Sequence, residues 1–150
     1  MNKQEKEIFE KYILPTAQTH EKFVLITTNP TGGYYSEIVG HEILHAQYFL
    51  NEVYRNTVDD FWNTKVSDAS KTTVKRALSS YDTTNDYVMK NEFQAYILMY
   101  GAENFSLRML VSKYGPTLRA TLKQNGTPAV EILNPTSQLL FKTPYNHLKM

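Results

Sequence analysis

The segment 41–45 reads His-Glu-Ile-Leu-His and lies inside a long helical pattern. From about residue 34 to residue 55, apolar side chains recur at helical spacing, which predicts one amphipathic helix. Residues four apart lie on the same face of a helix, so His41 and His45 converge on one point with Glu42 beside it. This arrangement is typical of a metal site that carries its own general base. The alternative is a pair of core histidines satisfied by ordinary hydrogen bonds.

A catalytic zinc site normally has three protein ligands and a water, so a third ligand is required. Residues 85–100 form a second helical pattern, capped by Thr84 or Asn85, and Glu92 stands in the middle of its apolar sector. No lysine or arginine shares that face, and a buried unpaired carboxylate costs several kcal/mol. A metal ion is therefore its predicted partner. Glu52 is a poorer candidate because it lies about 10 Å along the helix axis from the histidines.

The segment 41–45 followed by Asn-Glu-Phe-Gln-Ala at 91–95 resembles the gluzincin group of zinc metallopeptidases, which are related to thermolysin. The resemblance covers about a third of the chain. It implies that His41, His45 and Glu92 bind Zn²⁺ and that Glu42 activates the metal-bound water. The chain departs from the group in two respects. The 46 residues between His45 and Glu92 exceed the gap of many members, which implies inserted helices near the cleft. Tyr96 stands where members often carry an aspartate that orients the first histidine.

Two residues are candidates for stabilising an oxyanion during catalysis. Tyr96 lies four residues after Glu92 and so on the same helical face. His147 is the second candidate, since thermolysin-like enzymes supply a histidine from beyond the glutamate helix. The alternatives are that Tyr96 only packs or orients a ligand and that His147 is a tail residue. The proline-broken tail, from 127 to 150, is predicted to be irregular with one short helix near 137–142. It completes the site, blocks it, or has only a structural role.

The expected fold is α+β and mostly helical, formed by a single zinc metallopeptidase-like domain spanning 1–150. A strand at 22–28 is predicted to form a small sheet beside the helix of the histidine motif. By the resemblance, this strand is either an edge that pairs with substrate or an interior strand. The remaining predicted helices are 4–14, stopped by Pro15; 58–81, in one or two pieces; 103–113; and 116–124, opened by Pro116.

Composition excludes several classes of protein. The chain has no cysteine, so it has neither disulfides nor thiolate ligands. No apolar run is long enough to span a membrane. The basic residues Lys71, Lys75 and Arg76 lack interleaved aromatics, which favours a solvated helix face over a nucleic-acid site. No signal peptide is recognisable; the protein is cytoplasmic if Met1 is its native start. Compartment and oligomeric state stay open.

The sequence as a whole predicts a zinc-dependent endopeptidase that acts on a protein or peptide substrate. The alternative is a catalytically inactive peptidase fold that retains the metal as a binding or regulatory module. An iron-carboxylate helical bundle would need a second Glu-x-x-His unit besides Glu42-x-x-His45, and the chain contains none.

Overall fold

Helices make up all of the regular structure in residues 2–26, 35–99 and 105–129, which are the residues described by the computed structural model of the protein. The first helical run comprises α1, a π-helical turn and α2, and five further helices follow it. Their bounds are α1 Lys3–Ile8, the π-helical turn Phe9–Ile13, α2 Leu14–Thr19, α3 Tyr35–Leu50, α4 Glu52–Thr64, α5 Asp68–Ala77, α6 Asp86–Leu98 and α7 Phe105–Gln124.

The small sheet expected from the sequence is wrong for the part of the chain that the structure describes, which contains no strand. The predicted strand at 22–28 lacks regular pairing over residues 22–26, and its last two residues lie outside the described ranges. The physical reason is that a strand is stable only when a second strand satisfies its backbone groups. The other apolar segments of the described chain have helical spacing, so a lone β-like segment has nothing to pair with. Without a sheet, residues 22–26 also provide no strand edge with which a substrate could pair.

Helix α3 ends at Leu50 instead of continuing to residue 55 as predicted. Asn51 has an extended backbone, and its side-chain oxygen accepts a hydrogen bond from the Tyr54 backbone N–H, 3.0 Å away. An asparagine in this position starts a new helix because it satisfies a backbone donor that the first helical turn leaves free. The chain therefore turns here, and Glu52, in the first turn of α4, is separated from the helix that carries the histidines.

Pro15 and Pro116 were both expected at helix boundaries, and both lie inside helical runs. At Pro15 the π-helical turn precedes α2, and the Leu14 backbone N–H bonds to the Phe9 carbonyl, one residue further back than in an α-helix. This wider turn gives room for a proline ring, which clashes with the carbonyl four residues earlier in a regular α-helix. The predicted end of the first helix near residue 14 is thus wrong.

Helix α7 passes through Pro116 without a break, so the prediction of two helices at 103–113 and 116–124 is also wrong. A proline inside a helix costs roughly 3 kcal/mol. Burial on both sides of the proline offsets this cost: Leu110 and Tyr114 before it, and Leu118 and Leu122 after it, enter the same core. Each fully buried leucine contributes about 1.5–3 kcal/mol.

Helix α6 lies at the centre of the packing and contacts α3, α4, α5 and α7. Within the described residues, α1, the π-helical turn and α2 contact each other and none of the helices α3 to α7. Five apolar side chains of the segment 58–81, which the sequence predicts to be helical, are buried in the core: Phe61, Trp62, Val66, Val74 and Leu78. Leu50 and Val53 belong to the apolar pattern between residues 34 and 55, yet their side chains are 46% and 55% exposed.

Gly115 is where α7 approaches α6 most tightly among the glycines whose surroundings are described. A Cβ added there would lie 2.9 Å from the carbonyl oxygen of Ile97. We expect Gly115→Ala to lower the free energy of unfolding by about 1–3 kcal/mol, the usual cost of overpacking, even though alanine favours helix by about 1 kcal/mol. Urea unfolding measures this. Ser112→Ala, at an exposed position of the same helix, is the matched control. An unchanged or raised midpoint for Gly115→Ala would refute the tight approach.

Candidate metal centre

Helices α3 and α6 bring together His41, His45 and Glu92. The Nε2 atoms of the two histidines are 2.9 Å apart. The Glu92 carboxylate faces both rings, with Oε2 3.7 Å from His41 Nε2 and Oε1 3.6 Å from His45 Nε2. One ligand atom from each residue lies within 4.8 Å of the others, so this group can hold a metal ion.

The spacing of the donor atoms fits a small ion. Two ligands at 2.0–2.1 Å from a tetrahedral zinc lie about 3.4 Å from each other. The two Nε2 atoms are closer than this, at 2.9 Å, and the separations of 3.7 and 3.6 Å from Nε2 to the carboxylate each involve a different oxygen of Glu92. The three side chains are thus close enough to share one ion after they adjust.

No lysine or arginine in the described residues forms an ion pair with Glu92. Glu92 is 8% exposed, and its only ion-pair partners there are the two histidines. Its Oε2 atom is fully buried and accepts no hydrogen bond. A buried acceptor without a partner costs about 1–3 kcal/mol, and more when it is charged. The chemistry of this donor set, two imidazoles and an orphaned carboxylate oxygen, thus fits a cation.

Asn91 orients one of the candidate ligands, a role that the sequence did not suggest. Its Oδ1 atom lies 3.0 Å from Nδ1 of His45. When this oxygen accepts the Nδ1–H of the ring, Nε2 of His45 carries a lone pair, and this atom lies 2.9 Å from His41 Nε2 and 3.6 Å from Glu92 Oε1. The signal in the sequence was the position of Asn91 directly before Glu92, which places it on the adjoining face of α6.

Glu42 lies one residue after His41 on α3 and is partly buried. Its carboxylate makes no hydrogen bond or ion pair with any residue in the described ranges, and its neighbour in sequence is a candidate ligand. A carboxylate without a fixed cationic partner keeps its lone pairs available to accept a proton. The role that the motif predicts for Glu42 stays a prediction.

Tyr96 packs against the first histidine and is joined by a second tyrosine that the sequence did not single out. The rings of Tyr96 and His41 meet edge to face, with centroids 4.7 Å apart. The hydroxyl of Tyr81, in the turn after α5, lies beside Tyr96 and Glu92. Partial burial, hydrogen bonding with Tyr96 and the negative charge of Glu92 raise the pKa of Tyr81 above its usual range. Tyr81 therefore stays protonated at neutral pH and remains a hydrogen-bond donor.

The other residues considered from the sequence are not part of this group. His20, the histidine nearest before the motif in sequence, is exposed at the end of α2, where its Nδ1 lies 2.8 Å from the Thr19 hydroxyl. Glu52 is exposed on α4. His147 and the predicted helix at 137–142 lie outside the described residues, so their predicted roles stay predictions.

Comparisons with known proteins add no relative. No family model, curated protein or solved structure matches this chain. The gluzincin resemblance therefore stays a prediction that rests on the residues of the motif alone. In the ranges that the structure describes, no helix has both the length and the apolar character needed to cross a bilayer.

Proposed function

We propose that this protein is a zinc-dependent peptidase in which His41, His45 and Glu92 hold the metal. The observation that carries the proposal is the buried, unpaired Oε2 atom of Glu92 facing two converging imidazoles. Two histidines and one glutamate are the ligand set of thermolysin-type zinc enzymes. The same set of side chains also holds ferrous iron in oxygenases. Glu42 favours hydrolysis over oxygenase chemistry, because a carboxylate directly after the first histidine of the motif is what water activation requires.

Each step of hydrolysis has a candidate group in the chain. Zinc held by His41, His45 and Glu92 would polarise the scissile carbonyl and would lower the pKa of a coordinated water towards 7. Glu42 accepts the proton of the attacking water and passes it to the leaving amine. The hydroxyls of Tyr81 and Tyr96 donate to the oxygen on which negative charge develops. Asn91 holds the ring of His45 in its binding orientation through the 3.0 Å contact to Nδ1.

We infer the substrate class from the face of α3 that carries the candidate ligands. Ile38 is one turn before His41, and Phe49 is one turn after His45. Their side chains are 47% and 46% exposed. Apolar side chains beside a polar site are what a peptide with apolar residues near its scissile bond would contact. The proposed substrate is therefore an extended protein segment or peptide.

One experiment separates the competing functions. The purified protein is analysed for metal and then assayed on a generic protein substrate, with and without a chelator and with zinc added back. We expect about one zinc per chain and cleavage that the chelator abolishes and zinc restores. Bound metal without cleavage would identify the inactive, metal-retaining module. Bound iron would assign the site to a different chemistry, and absence of metal under all conditions would overturn the proposal.

A further inference from the structure

A chain of three hydrogen bonds links the candidate ligand His45 to a helix that carries no ligand. The Tyr54 hydroxyl, on α4, donates to Oε1 of Gln94 across 2.7 Å. Nε2 of Gln94 donates to Oδ1 of Asn91 across 3.4 Å, the longest contact of the three. The same Oδ1 atom lies 3.0 Å from Nδ1 of His45.

The series of hydrogen bonds is shielded from water at the Tyr54 end, which is the end far from the metal site. Tyr54 and Gln94 are both fully buried. Among the described residues, Gln94 is the only hydrogen-bond partner of the Tyr54 hydroxyl. A buried hydroxyl that cannot donate its proton costs about 1–3 kcal/mol. The Tyr54 proton must therefore go to Gln94, and the oxygen of the Gln94 amide must face Tyr54.

The direction of this first bond fixes the direction of the other two. With its oxygen turned to Tyr54, the Gln94 amide presents its N–H groups to Asn91. Asn91 must then present its oxygen, and that oxygen can only accept a proton from His45. The imidazole is left with its proton on Nδ1 and a lone pair on Nε2.

Reversing the direction of these three hydrogen bonds would have the opposite effect on the tautomer of His45. If Asn91 turned its NH₂ group to His45, Nδ1 would accept and the proton would sit on Nε2. A protonated Nε2 cannot bind a metal. Hydrogen bonds in the reversed direction also leave the buried Tyr54 proton without an acceptor in the described part of the molecule. The direction that favours metal binding therefore has the lower free energy.

We propose that Tyr54 is a positioning residue that sets the tautomer of His45, and thereby the metal affinity of the site, through Gln94 and Asn91. This inference rests on the proposed metal centre. It assigns a function to a buried polar chain in a core that would otherwise be filled more simply by apolar side chains.

Tyr54→Phe tests the proposal, because it removes the hydroxyl and keeps the ring. We expect the zinc dissociation constant to rise by about 10-fold, the lower end of the effect of losing the direct outer partner of a metal-bound histidine, because Asn91 itself remains. Tyr48→Phe is the matched control. Tyr48 is equally buried and donates to Asp59 across 2.6 Å, outside this chain of hydrogen bonds. Its loss should change stability while leaving the zinc affinity within a few-fold of the wild type.

Asn91→Asp distinguishes a positioning role from a packing role. A carboxylate has no N–H to turn towards His45, so it accepts from Nδ1 whatever the state of Tyr54. In the Asn91→Asp background, Tyr54→Phe should therefore change zinc affinity less than threefold. If Tyr54→Phe weakened zinc binding equally in both backgrounds, the hydroxyl would act only through packing and the proposal would be wrong.

The tautomer can also be read directly in the wild-type protein, which removes any dependence on how the variants fold. Nitrogen-15 NMR of the histidines in the metal-free protein, at a pH where the rings are neutral, should show the His45 proton on Nδ1. A proton on Nε2 of His45 would overturn the proposal. The outcomes separate cleanly: a wild type that binds no metal refutes the proposed function, whereas metal binding that is insensitive to Tyr54 refutes this inference alone.

Discussion

Glu42→Gln should retain zinc and fold normally, and its kcat/KM for peptide cleavage should fall by about 10²- to 10⁴-fold. That range is the usual contribution of a positioned general base. Glutamine keeps the shape of the side chain but cannot accept the proton of the attacking water. Peptide hydrolysis is measured at equal concentrations of folded, zinc-loaded protein.

The control for this variant is Glu52→Gln. Glu52 is exposed in the first turn of α4 and takes no part in the metal centre. The Glu52→Gln variant should cleave the peptide substrate at the wild-type rate. Wild-type turnover by Glu42→Gln would rule out the peptidase mechanism, even if the protein proved to bind zinc.

Glu92→Gln should weaken zinc binding by more than about 100-fold, beyond the upper end of what losing an outer partner costs. The amide removes the negative charge that draws the cation to the two imidazoles. Zinc binding by titration, together with thermal unfolding in the presence and absence of zinc, measures the effect. Zinc should raise the unfolding temperature of the wild type and have little effect on the variant, because only binding to the native state stabilises it.

Without metal, Glu92→Gln should be at least as stable as the metal-free wild type. The substitution removes a buried carboxylate whose Oε2 has no hydrogen-bond partner. Glu52→Gln should match the wild type in both measurements. If Glu92→Gln bound zinc as tightly as the wild type, or if zinc content followed Glu52, the two-helix metal centre would be wrong.

The sequence predicted the local features of the site well because they depend on spacing within one helix. The motif helix and the helix around Glu92 were expected, and Asn85 caps α6 as one of the two predicted candidates, accepting from the backbone N–H groups of Tyr87 and Val88. The meeting of His41, His45 and Glu92 followed from one long-range argument, that a carboxylate in an apolar face needs a cation. Metal binding itself stays a prediction.

The parts that could not be predicted depend on contacts between distant residues. Pro116 stays inside α7 because residues on both sides of it are buried, and no local rule shows that. Tyr81 reaches the site from the turn after α5, and its sequence neighbours give no sign of that. Asn91 and Gln94 belong to the motif run at 91–95, yet their roles appear only once Tyr54 and His45 are placed against them.

The helical run from Lys3 to Thr19 is stabilised by different interactions from those that stabilise the rest of the described chain. Among the residues that the structure describes, its support is local, with a capping box between Asn2 and Glu5 and an exposed ion pair between Lys6 and Glu10. A helix of this length that has only local support is marginally stable in water. Amide hydrogen exchange in this run therefore reports a local helix–coil equilibrium. Exchange in α6 instead reports opening of the core, so a single melting temperature for the protein describes α3 to α7 and not the first helical run.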